Sequence, residues 1–407
     1  MTSNTDDRVT ALPEIGPLKD VQFAGYASIA DHGKPAGKQE ELFYWFAGSK
    51  LYAKRPTILW SNGGPGSSSL WGLFLENGPF DFKVGKNGKA ELHLNPLGWN
   101  HHANYLIFEH PLGVTLSFHD DQDTLPQNVA QGIGQLYRAL QNFIARHPEI
   151  ADNPIILAGE SYAGTYLPLL AKAIVEGNKQ DGNIQLNLET VVLCDSWVDP
   201  MPQMEQDTAY AHAHGLITLE QKRELDEKYL YNLPQINQAI QNICGVYMAN
   251  IAETADPPFQ PVLDYINRAD VRKAIHVKSK TPVTSSWSAA IGNNYAFGVN
   301  DSYAGLVQEL LDSGLQFIVV SGLNDAKDCN FLGTGAWLNK LDGTAAVAFR
   351  GAKTTQWIYE TGGRVLGYIQ NGGTLSWVKV LNAGHLAARD QPKLIELIRK
   401  MSRAWPE

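Results

Sequence analysis

Ser161 lies in Gly159-Glu160-Ser161-Tyr162-Ala163-Gly164, between a short apolar run and an apolar helical stretch. A serine on a tight strand-to-helix turn projects its hydroxyl from the sheet, and the N–H that follows it lies at a helix start. Such a turn crowds its own backbone and needs small neighbours. Gly159 and Ala163 satisfy that, although the pattern Gly-x-Ser-x-Gly is not met strictly. Serine is a poor nucleophile without a histidine to take its proton and a carboxylate to hold that histidine. On such a sheet the chain order is Ser, then Asp or Glu, then His. Downstream, Gly322-Leu323-Asn324-Asp325 follows the apolar run Phe317 to Val320, and Ala383-Gly384-His385 follows Val380-Leu381. A lone histidine after a strand is usually a surface or capping residue. The joint order makes Ser161, Asp325 and His385 the expected triad, with Asp328 as the competing carboxylate.

A second chemical signal is Asn62-Gly63-Gly64-Pro65-Gly66. An oxyanion hole needs backbone N–H groups unobstructed by side chains, and paired glycines supply them. The bland alternative is a simple turn. A phosphate cradle is set aside because no Gly-Lys-Ser/Thr ending follows.

The elements that must position these residues alternate in type. Phe23 to Ile29 and Glu41 to Ala47 are expected as early strands, with Asp31 to Lys38 as a turn between them. Thr57 to Trp60, Tyr105 to Phe108, Pro154 to Ala158, Thr190 to Leu193, Gln316 to Val320 and Val378 to Leu381 are expected as buried strands. Gln127 to Arg146 and Tyr166 to Val175 carry helical spacing. Strand, loop and helix in alternation imply an α/β fold with a central, mostly parallel sheet flanked by helices. Reactive groups at the carboxyl ends of its strands share one face. Residues 199–300 break the rhythm with helices expected at Met204 to His214, Leu219 to Tyr229 and Leu233 to Ile251, and are expected to form a helical insertion, or lid. Residues 1–20 are expected as a polar arm, and 21–198 with 301–407 as the catalytic core.

The chain has 407 residues, is 44% hydrophobic and carries a net charge of −9. It can bury a large core, and its acidity argues against a nucleic-acid-coating role. No apolar run approaches the ~18 residues of a membrane span. Cys194, Cys244 and Cys329 are too few and too odd in number for a disulfide framework, so three reduced thiols are expected. With no signal-like stretch at the start, a cytoplasmic location is expected; a chain whose signal had been trimmed would look the same. His212 and His214, two apart on a helix, point to different faces and make a poor metal pair.

Four blocks resemble the serine carboxypeptidases of the α/β-hydrolase superfamily. They are Trp60 to Leu70 continuing through Phe74-Leu-Glu-Asn-Gly-Pro79, Trp99-Asn100 with Pro111 to Val114, Gly159 to Tyr166, and Ala383-Gly-His385 with Asp390-Gln-Pro392. Leu42 to Phe46 and Asp270 to His276 add to the likeness. The resemblance implies an α/β-hydrolase fold and an exopeptidase that acts through an acyl-enzyme, without metal or organic cofactor. Its substrate would be a peptide or small acyl compound. It also implies roles. Ser161 would be the nucleophile, His385 the base and Asp325 its orienter. The N–H groups of Gly64 and Tyr162 would bind the oxyanion. Asn62, the Gly63 N–H and Glu160 would hold the C-terminal carboxylate of a peptide, with Glu76 hydrogen-bonded to Glu160. Two carboxyls in one site keep a proton between them, and a charged Glu160 would repel the substrate. Activity is therefore expected to fall as pH rises toward neutrality.

The chain also departs from the family pattern. Ser67 replaces a usual cysteine, so that disulfide is absent. The segment between Asp325 and Cys329-Asn330 is one residue longer. Cys194-Asp195-Ser196 stands for a Gly-Asn-Gly, the insertion is short, and Leu386 replaces a common Met. An acyltransferase or esterase on the same parts is the main rival, since fold alone does not fix reaction. A non-catalytic binding protein is the remote one. Apolar faces of the lid helices could bury against the body or in a homodimer.

Overall fold

The computed structural model describes residues 6–30, 41–85, 89–117, 125–359 and 362–405. The strands, in chain order, are β1 (Arg8–Leu12), β2 (Gly16–Ser28), β3 (Glu41–Ala47), β4 (Thr57–Ser61), β5 (Phe80–Val84), β6 (Ala90–Leu94), β7 (Asn104–Phe108), β8 (Ile155–Ser161), β9 (Leu188–Ser196), β10 (Gln316–Gly322), β11 (Thr354–Tyr359), β12 (Arg364–Asn371) and β13 (Leu375–Val380). Eleven form one sheet in the order β1-β2-β3-β7-β4-β8-β9-β10-β13-β12-β11, and β5 pairs with β6 as a separate hairpin. The expected parallel sheet is its centre: neighbours from β7 through β13 run parallel. Both edges are antiparallel. The sheet is therefore mixed.

The central strands are buried on both faces, which is why their sequences are continuous apolar runs without alternation. One apolar layer joins Leu157, Leu193 and Phe317 to the helices Val129–Arg146 and Ala163–Gly177. The other joins Trp60, Ile156 and Val320 to Phe74, Trp99 and Ile395. The helix Val129–Arg146 starts where the Asn128 side chain accepts the Gln131 N–H, and stops at His147-Pro148.

Residues 1–20 are not a polar arm. Arg8–Leu12 pairs with Gly16–Ser28 at the sheet edge, with Val9 and Leu12 buried. Their polar composition reflects an edge strand with one wet face. Asp7 is buried too, accepting from the Tyr44 hydroxyl and lying 3.0 Å from His147 Nε2. The turn expected at Asp31 to Lys38 lies outside the described residues.

Segment 199–300 packs in two parts. Its first half forms a small apolar cluster of its own, with Tyr210, Ile217, Leu225, Ile236, Ile240 and Met248 packed on Ala326. The helix expected at Met204 to His214 is broken into Pro200–Met204 and Asp207–Ala213, and the one expected to reach Ile251 ends at Cys244, where Gly245 adopts φ +68°. The second half contains short helices at Gln260–Ile266 and Ala269–Ala274 that join the sheet-side core through Val262, Tyr265, Ile266, Val271 and Ile275. All three cysteines are free, and Cys194 and Cys329 are buried.

Candidate active site

Ser161 is the last residue of β8 and adopts φ +60°, the left-handed conformation of a sharp strand-to-helix turn. Its neighbours show why this turn needs glycine. A Cβ on Gly159 would stand 2.3 Å from the Ser61 carbonyl and 2.8 Å from the Ala163 Cβ, and one on Gly164 would stand 2.7 Å from the Ser196 Cβ. Gly164, rather than Ala163, makes the close approach to β9.

His385 follows β13, and its Nδ1 lies 2.8 Å from Asp325 Oδ2. Asp325 follows β10, is fully buried, and its Oδ1 accepts the Lys327 N–H at 2.9 Å. Asp328, the competing carboxylate, is not against His385; its Oδ1 is buried without a hydrogen-bond partner. Burial works to lower the pKa of His385, but the charge and hydrogen bond of Asp325 outweigh it and leave it raised. The acid and base loops are joined by backbone bonds to the end of the insertion. Ala326 N–H donates to Met248 O at 2.9 Å, His385 N–H to Ala249 O at 2.7 Å, and Ile251 N–H to Asn324 O at 3.0 Å.

The glycine loop after β4 sits against the serine turn. A Cβ on Gly63 would stand 2.3 Å from the Tyr162 nitrogen, so only glycine lets the two segments meet. Gly64 has φ +116° and precedes a cis peptide bond to Pro65. The loop is laced to residues 286–288: Ser68 N–H donates to Ser286 O at 2.8 Å, Ser288 N–H to Gly66 O at 2.9 Å, and Trp287 Nε1 to Pro65 O at 2.7 Å. Ser67 forms a β-bridge with Trp287, in place of a disulfide from that position.

Behind the loop is a buried carboxyl pair. Asn62 Nδ2 donates to Glu76 Oε1 at 3.0 Å and to Glu160 Oε1 at 2.8 Å. Asn62 Oδ1 in turn accepts from Trp60 Nε1 and the Gly72 N–H, each at 3.1 Å, which fixes the amide's orientation. The second oxygens, Glu76 Oε2 and Glu160 Oε2, are both buried without a donor. Burial pushes Glu76 up to about 7. Burial, then the neighbouring Glu76 charge, pushes Glu160 well above the carboxylate range. The pair thus retains a proton at neutral pH. The expected loss of activity therefore accompanies the departure of that proton.

These parts line one cleft of about 320 Å³, whose walls include Asn62, Gly63, Gly64, Glu160, Ser161 and His385. Glu76, Tyr162 and Asp325 lie behind those walls. Sequence reasoning missed Trp71, Asp256, Trp287 and Lys327, which also line the cleft. Asp256 and Trp287 come from the irregular stretches of 199–300, where no periodicity points at them. Lys327 occupies the lengthened segment after Asp325, and that extra length was the available signal. His212 and His214 bond separately, to Ile217 O and Tyr210 O.

The serine carboxypeptidase family profile matches residues 13–256 and 246–403. Among individual proteins, the chain is 28% identical over 401 residues to serine carboxypeptidase-like 47 of Arabidopsis thaliana, covering 91% of this chain and 76% of that one. It is 28% identical to the pheromone-processing carboxypeptidase KEX1 of Phytophthora infestans, covering 95% and 70%. Among solved structures, the prohormone-processing carboxypeptidase KEX1 of Saccharomyces cerevisiae superposes with a TM-score of 0.78 at 23% identity, covering 96% of this chain and 93% of that one.

Proposed function

The chain belongs to the serine carboxypeptidase family and is a serine-type carboxypeptidase acting through an acyl-enzyme, and we propose that the residues lining its cleft divide the work as follows. Ser161 Oγ attacks the carbonyl carbon of the last peptide bond while His385 Nε2 takes its proton. Asp325 accepts from the Nδ1–H, which fixes the tautomer and stabilises the imidazolium. The N–H groups of Gly64 and Tyr162 receive the developing oxyanion. His385 then returns the proton to the departing amine, and the C-terminal residue leaves. Water, deprotonated by the same histidine, attacks the ester and frees Ser161.

The observation that carries the peptidase assignment of this site is the Asn62–Glu76–Glu160 cluster. A simple esterase has no use for two buried carboxyls beside its nucleophile, since burying them is costly. A pair that shares one proton can present Glu160 as a donor to an anionic substrate end, alongside the Asn62 amide and the Gly63 N–H. A charged Glu160 could not. No helix among the described residues is long and apolar enough to cross a membrane.

The test compares wild type with Ser161→Ala on N-blocked dipeptides and their C-terminal amides. Release of the last residue from free-carboxylate peptides, reduced ~10⁴–10⁶-fold in the variant, is expected. Stable peptides with Ser161-dependent ester turnover would move the site to the esterase or acyltransferase class.

A further inference from the structure

Among the described residues, Lys327 is the one lysine or arginine lining the cleft. It sits two residues after Asp325, in the segment that is one residue longer than the family pattern. Its backbone N–H is fixed on Asp325 Oδ1 at 2.9 Å, so the loop holds this residue beside the acid–base pair. Among the described residues, no carboxylate forms an ion pair with its ammonium, although Asp325 and Asp328 are its sequence neighbours. Asp325 is engaged by His385 and by that N–H. The charges of Asp328, then Asp325 and Asp256, outweigh its burial and keep the ammonium protonated, so the cleft wall carries a fixed positive charge whose donors are not taken up by an ion pair.

The strand order says which part of a substrate it would meet. The carboxylate clamp lies at the ends of β4 and β8, through Asn62 and Glu160. Lys327 follows β10, and β4 and β10 lie on opposite sides of β8 and its Ser161. With the departing residue's carboxylate on the β4 side, the acyl half of the peptide extends toward β9 and β10. From this placement, and resting on the carboxypeptidase reading above, we propose that Lys327 selects peptides whose penultimate residue carries an acidic side chain. Its ammonium donates to that carboxylate. Asp256 shares the cleft and would oppose an anion placed near it, so the preference depends on which side of Ser161 the acid lies.

The test uses N-blocked dipeptides with Glu, Gln, Leu or Lys at the penultimate position and Leu last, and one with Leu penultimate and Glu last. Wild type, Lys327→Met, Lys327→Arg and Lys327→Glu are assayed for kcat/KM. A charge-assisted hydrogen bond predicts a Glu-over-Gln ratio about 10- to 100-fold higher in wild type than in Lys327→Met. Lys327→Arg should keep the preference and Lys327→Glu should turn it toward Lys. The proposal is overturned if Lys327→Met changes all penultimate residues alike, or if its effect falls on the peptide with Glu last. Peptides with Leu in both places separate the two readings. Ser161-dependent release from them without charge selection removes this proposal alone, whereas their stability removes the carboxypeptidase reading as well.

Discussion

Glu160→Gln isolates the carboxyl pair. In the proposed clamp, Glu160 would meet the substrate through Oε2, which has no hydrogen-bond partner, while Oε1 accepts from Asn62 at 2.8 Å. The pair is buried, and both groups are pushed up by desolvation. While it keeps its proton, Glu160 donates to the substrate carboxylate, a bond worth about 1.5–3 kcal/mol because one partner is charged. When the proton leaves, that bond is lost and two anions face each other. At ~4 Å and an effective dielectric of ~20, their repulsion is about 4 kcal/mol, or nearly three decades of affinity. The competent fraction falls tenfold per pH unit beyond the pair's pKa. Because Glu160 is pushed well above the carboxylate range, KM for a free-carboxylate peptide should hold near neutrality and climb by up to about tenfold per unit once the pair gives up its last proton. Glutamine retains the acceptor for Asn62 and supplies an N–H donor at every pH. In Glu160→Gln, KM should stay within about tenfold of the wild-type acid value and lie nearly flat from about pH 6 to 8.5. The assay is initial-rate release of the last residue from an N-blocked dipeptide across that range, with KM and kcat separated. An unchanged alkaline climb in Glu160→Gln would refute the reasoning. So would the same climb for the amidated peptide, which brings no charge to the clamp.

Other outcomes follow from the same geometry. Asp325→Asn should lower kcat about 10⁴-fold by favouring the wrong tautomer of His385, while Asp328→Asn, whose carboxyl does not touch the histidine, should change kcat only a few-fold; a reversed order would exchange their roles. Because Asp325 raises the pKa of His385 and the base must be neutral to act, the acid limb of kcat/KM should lie above the ordinary histidine value, and a limb below it would contradict the ion pair seen here. Gly72→Ala would drive a Cβ to 2.3 Å from Trp60 Nε1 and 2.7 Å from the Tyr105 hydroxyl, so a loss of about 1–3 kcal/mol is expected from the urea midpoint.

Much of this molecule was visible in the sequence for a physical reason. The central strands bury both faces, so they are written as uninterrupted apolar runs, and each ends close to where such a run stops. The serine turn was visible because crowding restricts it to Gly159, Ala163 and Gly164. The choice between Asp325 and Asp328 was not, because it depends on how the loop after β10 folds over Met248. The edge strands were missed for the opposite reason. Arg8–Leu12 exposes one face, and Thr354–Tyr359 is mostly exposed, so neither carries a strong apolar signal. The break within 199–300 also escaped notice. Short helices such as Gln260–Ile266 have too few turns to show a period, and their burial is decided by the body they meet. Lys327 and Trp287 reach the cleft through irregular chain, for which no local pattern exists.

The backbone stretch Met248–Ile251 has a consequence for anyone rebuilding this enzyme. It belongs to the insertion by position in the chain, yet it holds the loops of both Asp325 and His385. Specificity in such folds is often altered by transplanting the variable segment from a relative. Here the transplant's exit would have to land within about 0.5 Å of its present course, or the acid and base would drift out of alignment. A workable chimera would keep residues 248–251 with the host and exchange what lies before them. The boundary between the replaceable module and the machinery thus falls inside the insertion, not at its ends.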